Sequence, residues 1–125
     1  MEKVSSYTDL EVWKISRSLV SDIYELTTGF PSSEMFGITN QMRRCVVSIP
    51  SNIAEGCGRQ QPKDCMRFFS IARGSLYELE TQLYLSLDLK FISSQSLVST
   101  MNKVITCKRL LNGFINYYHR LANNQ

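Results

Sequence analysis

A chain of 125 residues, 43% hydrophobic and 20% charged, is long enough to bury a self-sufficient core and is read as one domain, 1–125. Its longest apolar runs fall short of the roughly 18 residues a membrane span requires, and no leader-like segment opens it, so a cytoplasmic protein is expected. Four cysteines without a CxxC pair and one distant histidine, His119, argue for reduced thiols and against disulfides, a metal or any other cofactor.

In chain order, apolar residues recur at helical spacing and no strand pattern competes, which predicts an all-α fold. The first helix, about 9–28, takes Thr8-x-x-Glu11 as a capping box and Gly29 as a left-handed cap before Pro31. Its core stripe is Val12, Ile15, Leu19, Ile23 and Leu26. After a turn over Ser32 to Gly37, Thr39 is the expected N-cap of a second helix, about 39–56, broken by Gly56 and Gly58. Pro50 lies inside it, where a proline costs about 3 kcal/mol unless the helix bends, so a kink is expected over Val46 to Pro50. That kink either re-aims Asn52 and Glu55 or is a tolerated bend.

Pro62 suits the first turn of a third helix, about 62–89, whose Cys65, Phe69, Ala72, Leu76, Leu79 and Leu83 follow the seam spacing of a coiled-coil-like bundle. Gly74 lies off that seam. An interior glycine weakens a helix by about 1 kcal/mol relative to alanine, and admitting a second subunit's backbone is a use that would offset it. The fourth helix, about 94–119, turns Leu97, Met101, Val104, Leu111, Ile115 and Tyr118 inward. Short connections between four helices give an antiparallel up-down-up-down four-helix bundle with a Pro-kinked second helix.

Beside the core stripe of the second helix runs a polar seam. With Gln41 as origin, Arg44, Ser48, Asn52, Glu55 and Arg59 fall within about 80° of arc. If Arg44 and Arg73 meet Glu55 or Glu78 between helices or subunits, the set Gln41, Arg44, Ser48, Asn52, Glu55, Arg73 and Glu78 forms a structural network whose value is specificity. The other reading is a ligand site.

Net charge is +3, unevenly placed. Residues 1–42 hold three bases against six acids, residues 43–73 six bases against two acids, and residues 101–125 four bases and no acid. Such bias serves solubility or contacts phosphates. Arg43, Arg59, Lys63, Arg67, Lys103, Lys108, Arg109 and Arg120 are the candidate nucleic-acid contacts, with Lys108 partly covered. Tyr117 fits rim packing better than base stacking. No nucleophile with a base, metal set, paired carboxylates or phosphate loop appears, so no catalytic residue is assigned and an enzyme is not expected.

The segments Asp9-Leu-Glu-Val-Trp13, Phe30-Pro31, Gly37-Ile-Thr-Asn-Gln-Met-Arg-Arg44, Ser48-Ile-Pro-Ser-Asn-Ile-Ala-Glu-Gly56, Gly58-Arg59 and Ile71-Ala-Arg-Gly-Ser-Leu-Tyr-Glu-Leu79 are specific as a set. Together they resemble the bacterial four-helix-bundle family that includes proteins encoded by intervening sequences in 23S ribosomal RNA genes, with relatives that are accessory subunits of diversity-generating retroelements. The resemblance implies a ring-like homopentamer without known catalytic activity and, in the retroelement members, a basic surface that binds nucleic acid and the reverse transcriptase. Cysteines at 45, 57 and 65 and the Met35-Phe36 pair depart from the family pattern. The expectation is therefore a cytoplasmic homo-oligomer that binds RNA or DNA through a basic outer surface, with a reverse transcriptase as a further partner. An oligomeric protein–protein adaptor is the alternative.

Overall fold

The four apolar stripes find one another in the computed structural model, which describes residues 6–124. Helices α1 (Glu11–Thr28), α2 (Asn40–Cys57), α3 (Pro62–Asp88) and α4 (Ser94–Asn123) carry the chain, with no strand among the described residues. α2 and α3 form the most extensive pairing, followed by α3 with α4; α1 completes the bundle against α2 and α4. Val12, Leu19 and Ile23 from α1 meet Met42, Val46, Ile49 and Ile53 from α2 in the core. All six residues of the expected α3 seam are buried, and Leu97, Met101, Val104 and Leu111 close the core from α4. Ile15, Leu26, Ile38, Cys57, Ile115 and Tyr118 pack on its margin, half-buried.

Named contacts fix which parts of neighbouring helices meet. Phe69 of α3 packs against Phe114 and Tyr118 of α4, with ring centroids 5.8 and 5.3 Å away. Further along, Arg73 reaches Asn112 and Glu80 reaches Lys108. At the other end Phe30 meets Phe91 at 5.2 Å, and Ser86 donates to the Met42 sulfur.

The helix ends depart from expectation more than the stripes do. Thr8 does not cap α1. Ser6 caps a short 3-10 turn over Tyr7–Asp9 by accepting from the Thr8 amide at 3.3 Å, and α1 starts at Glu11 without a side-chain cap. Gly29 closes α1 at φ −82°, in the right-handed region; the positive φ among the described residues belongs to Lys90. Thr39 is already helical and buried, with its hydroxyl unpartnered, because a 3-10 turn and a π-helical turn (Met35–Thr39) lead directly into α2. Gly37 breaks helical geometry in that turn. α4 runs a full turn beyond 119, starting from Ser93, whose hydroxyl accepts from the Ser96 amide at 3.1 Å.

Gly56 does not break α2. It is buried within the helix, and a Cβ there would lie 2.6 Å from Phe69 Cε1 and 3.1 Å from the Cys65 carbonyl. The missing side chain therefore lets α2 and α3 approach closely. No helix among the described residues is long and apolar enough to cross a membrane.

Candidate functional site

The start of α3 gathers two of the expected cations around one aromatic ring. Both the Arg59 and Arg67 guanidinium carbons lie 4.6 Å from the Phe68 ring centroid, within cation–π range. Asp64 holds the pair, accepting from Arg67 Nη2 at 3.0 Å and lying 3.6 Å from Arg59 Nε; Arg59 Nη2 also donates to Glu55 at 3.3 Å. These are exposed pairs, each worth a fraction of a kcal/mol, so they orient the guanidiniums without neutralising their reach. Lys63 is exposed and has no hydrogen-bond or ion-pair partner among the described residues.

The Phe69 contacts bring the last turns of α4 to this same end. Arg120 is exposed there without a partner among the described residues, next to Tyr117, which packs edge-on against Tyr118 at 5.2 Å. Arg59, Lys63, Arg67 and Arg120 against Glu55 and Asp64 leave a surplus of two positive charges at this end of the molecule. Phe68 was not anticipated. Its position one turn after Asp64, beside Arg67, is the signal that identifies it.

Three of the four remaining expected contacts are engaged within the bundle. Arg43 donates to the Thr27 hydroxyl at 2.9 Å and to the Tyr24 carbonyl at 3.4 Å while covering the Tyr24 ring, so it ties α2 to α1. Lys103 pairs with Asp22 at 2.7 Å across α4 and α1. Lys108 pairs with Glu80 and lies over Tyr77, with the two charged side chains only 19% and 26% exposed. The fourth, Arg109, is exposed and unpartnered among the described residues.

The polar seam exists as a surface but not as an ion network within the chain. Ser48 donates to the Cys45 carbonyl and meets the Ser75 hydroxyl at 2.7 Å, and Asn52 donates to the Ser48 carbonyl at 2.7 Å. Arg73 instead turns toward α4 and donates to Asn112 at 3.1 Å. Arg44 and Gln41 are exposed, Glu55 serves Arg59, and Glu78 accepts from Gln82 at 3.4 Å and lies beside the Cys45 thiol. Among the described residues no ion pair joins Arg44 or Arg73 to Glu55 or Glu78. A shallow depression between α2 and α3, lined by Phe36, Gln41, Arg44, Ser48 and Glu78, marks the seam's course.

The four thiols are free. Burial pushes the Cys45 thiol up to about 12, with the Glu78 carboxylate adding to it, and burial does the same to Cys107. Cys57, Cys65 and the Tyr118 phenol are also raised, chiefly by burial. Protonated thiols are poor nucleophiles at neutral pH. Among the described residues no three His, Cys, Asp or Glu side chains converge as a metal site would require.

The sequence model of the family described as 23S rRNA-intervening sequence protein matches residues 8–113. A solved structure, a protein of unknown function from the S23 ribosomal protein family of Bacteroides thetaiotaomicron VPI-5482, superimposes with a TM-score of 0.75. The alignment spans 83% of this chain and 97% of the other at 24% identity, a likeness of fold. No curated protein matches the chain.

Proposed function

The chain belongs to the 23S rRNA-intervening sequence protein family, and from that premise we propose that it is a non-enzymatic, cytoplasmic homo-oligomer that binds structured RNA or DNA through phosphate contacts at one end of an antiparallel bundle. The supporting observation is the cation cluster at that end: Arg59 and Arg67 on Phe68, with Lys63 and Arg120 nearby and unpartnered among the described residues. The pairs Arg73 with Asn112 and Glu80 with Lys108, whose numbers run in opposite order, support the up-down-up-down reading. Pro50 inside α2 supports a local bend of that helix. A ring-like pentamer is the assembly this reading takes.

Phosphate contacts position a protein without reading bases, so weak sequence discrimination is expected. The experiment is a titration against a labelled structured RNA and its DNA counterpart at low and moderate salt. Replacing Lys63, Arg67 and Arg120 with alanine together is expected to weaken binding and flatten the log–log salt slope by about 2 to 3, near one counterion per lost contact. Absence of binding at low salt overturns this reading. The oligomeric adaptor then takes its place, a reading that the engagement of Arg43, Lys103 and Lys108 inside the bundle favours.

A further inference from the structure

Two exposed helix stripes carry glycines that nothing inside the chain explains. A Cβ at Gly74 or at Gly113 would meet nothing within 4 Å, so neither glycine admits a neighbouring helix of its own bundle. Both sit in helix interiors, where glycine weakens the helix relative to alanine. On α3, Ile71, Gly74, Glu78 and Leu85 fall within about 60° of arc, opposite the buried seam. On α4, Val98, Ile105, Arg109 and Gly113 fall within about 80° on its outer face. The large apolar members are open to solvent, Ile71 at 44%, Leu85 at 47%, Val98 at 60% and Ile105 at 53%. Glu78 and Arg109 are both exposed, the carboxylate in no ion pair and touched by Gln82 and the Cys45 thiol, the guanidinium without a partner among the described residues.

Read in opposite directions, the two stripes match at their glycines and at one pair of opposite charges. Setting Gly74 against Gly113 places Glu78, four residues on, against Arg109, four residues back. The same register sets Leu89 against Val98, both exposed and apolar. Read in the same direction, Glu78 would instead face Tyr117 and no charge pair forms. Small residues at the crossing let two backbones approach, while an opposite-charge pair fixes the register.

We propose that the outer stripe of α3 docks on the outer stripe of α4 of a second copy of this chain, with Gly74 against Gly113 and Glu78 against Arg109. The inference rests on the self-association in the reading above and names the surface that produces it. The contact is heterologous: each copy presents one stripe and receives the other, the arrangement that closes into rings. It requires α3 of one copy and α4 of the next to run in opposite directions, as neighbouring bundles do around an axis parallel to their helices. The same register brings Arg120 of one copy toward Arg67 of the next, which joins the cation clusters into a continuous band along one rim. Arg109 thereby leaves the set of phosphate contacts and becomes a subunit contact.

The test is the solution mass of the full chain by sedimentation and light scattering, with helicity monitored alongside. The wild-type protein is expected at a multiple of 14.4 kDa. Gly74→Leu and Gly113→Leu should fold, since the space is open, and run at the monomer mass. Glu78→Arg and Arg109→Glu should each raise the dissociation constant at least ~10-fold, and the double exchange should restore it to within about threefold. An oligomeric wild type whose glycine and charge variants keep their mass overturns this interface and leaves self-association standing on another face. A wild type that stays monomeric at high micromolar concentration overturns both. Single charge variants that dissociate without rescue by the exchange overturn the pairing of Glu78 with Arg109.

Discussion

Gly56 and Phe69 show how little room single positions leave. The Phe69 ring lies 2.6 Å from where a Gly56 Cβ would be, and Phe69 is only 1% exposed, held between α2 and the aromatic side chains of α4. Gly56→Ala gains up to about 1 kcal/mol of helix propensity. It also overpacks the core, at a cost of about 1 to 3 kcal/mol, and the near neighbours include the Cys65 carbonyl, backbone that cannot swing aside. A net loss of about 1 to 2 kcal/mol is expected from the urea midpoint, with Phe69→Leu in the same chain recovering part of it. A stability equal to or above wild type would show that the ring relocates freely. By contrast, a Cβ at Gly74 or Gly113 meets nothing within 4 Å, so the same substitution there carries no packing penalty within a single copy of the chain.

Among the elements, α4 offers the cleanest capping test. Ser93 accepts from the Ser96 amide at 3.1 Å in extended geometry, and the helix it starts is the longest in the chain. Ser93→Ala is expected to lower stability by about 1 kcal/mol and the melting midpoint by a few degrees, while Ser93→Asp retains both. An unchanged midpoint for the alanine variant would mean that packing of Leu97 and Ile92 alone holds the start of α4. The element scale also separates what could be read in advance from what could not. The stripes of Leu76, Val46 or Leu19 were legible because helical periodicity projects directly onto burial. Thr8, Gly29 and Thr39 misled because a cap depends on local backbone angles, and the 3-10 and π-helical turns displaced the ends that composition suggested. For the candidate site, the cations themselves were legible but their engagement was not. Lys103 and Asp22 stand 81 residues apart, Lys108 and Glu80 28 apart, and only the packing of helices brings such partners together.

At the scale of the molecule, two thiols sunk in the core couple stability to alkaline pH. Both native Cys45 and Cys107 are raised from 9.0 to about 12. Below pH 9 native and unfolded chains alike keep these protons, and the contribution is fully present. Above it the unfolded chain releases protons that the native chain retains, so stability falls progressively until about pH 12. Melting temperatures measured from pH 8 to pH 11 should therefore drop more steeply in the wild-type protein than in the Cys45→Ala, Cys107→Ala double variant. Parallel curves would assign the alkaline loss to other groups.

The chain holds one tryptophan, and its surroundings turn it into a built-in reporter. Trp13 packs edge-on to Tyr7 at 5.3 Å and beneath the Arg17 guanidinium at 5.4 Å, on the first turn of α1. Its fluorescence therefore records the seating of a single corner, whereas circular dichroism averages over four helices. Coincident transitions from the two signals would mark one cooperative unit; an earlier loss of fluorescence would reveal that this corner peels away before the rest melts.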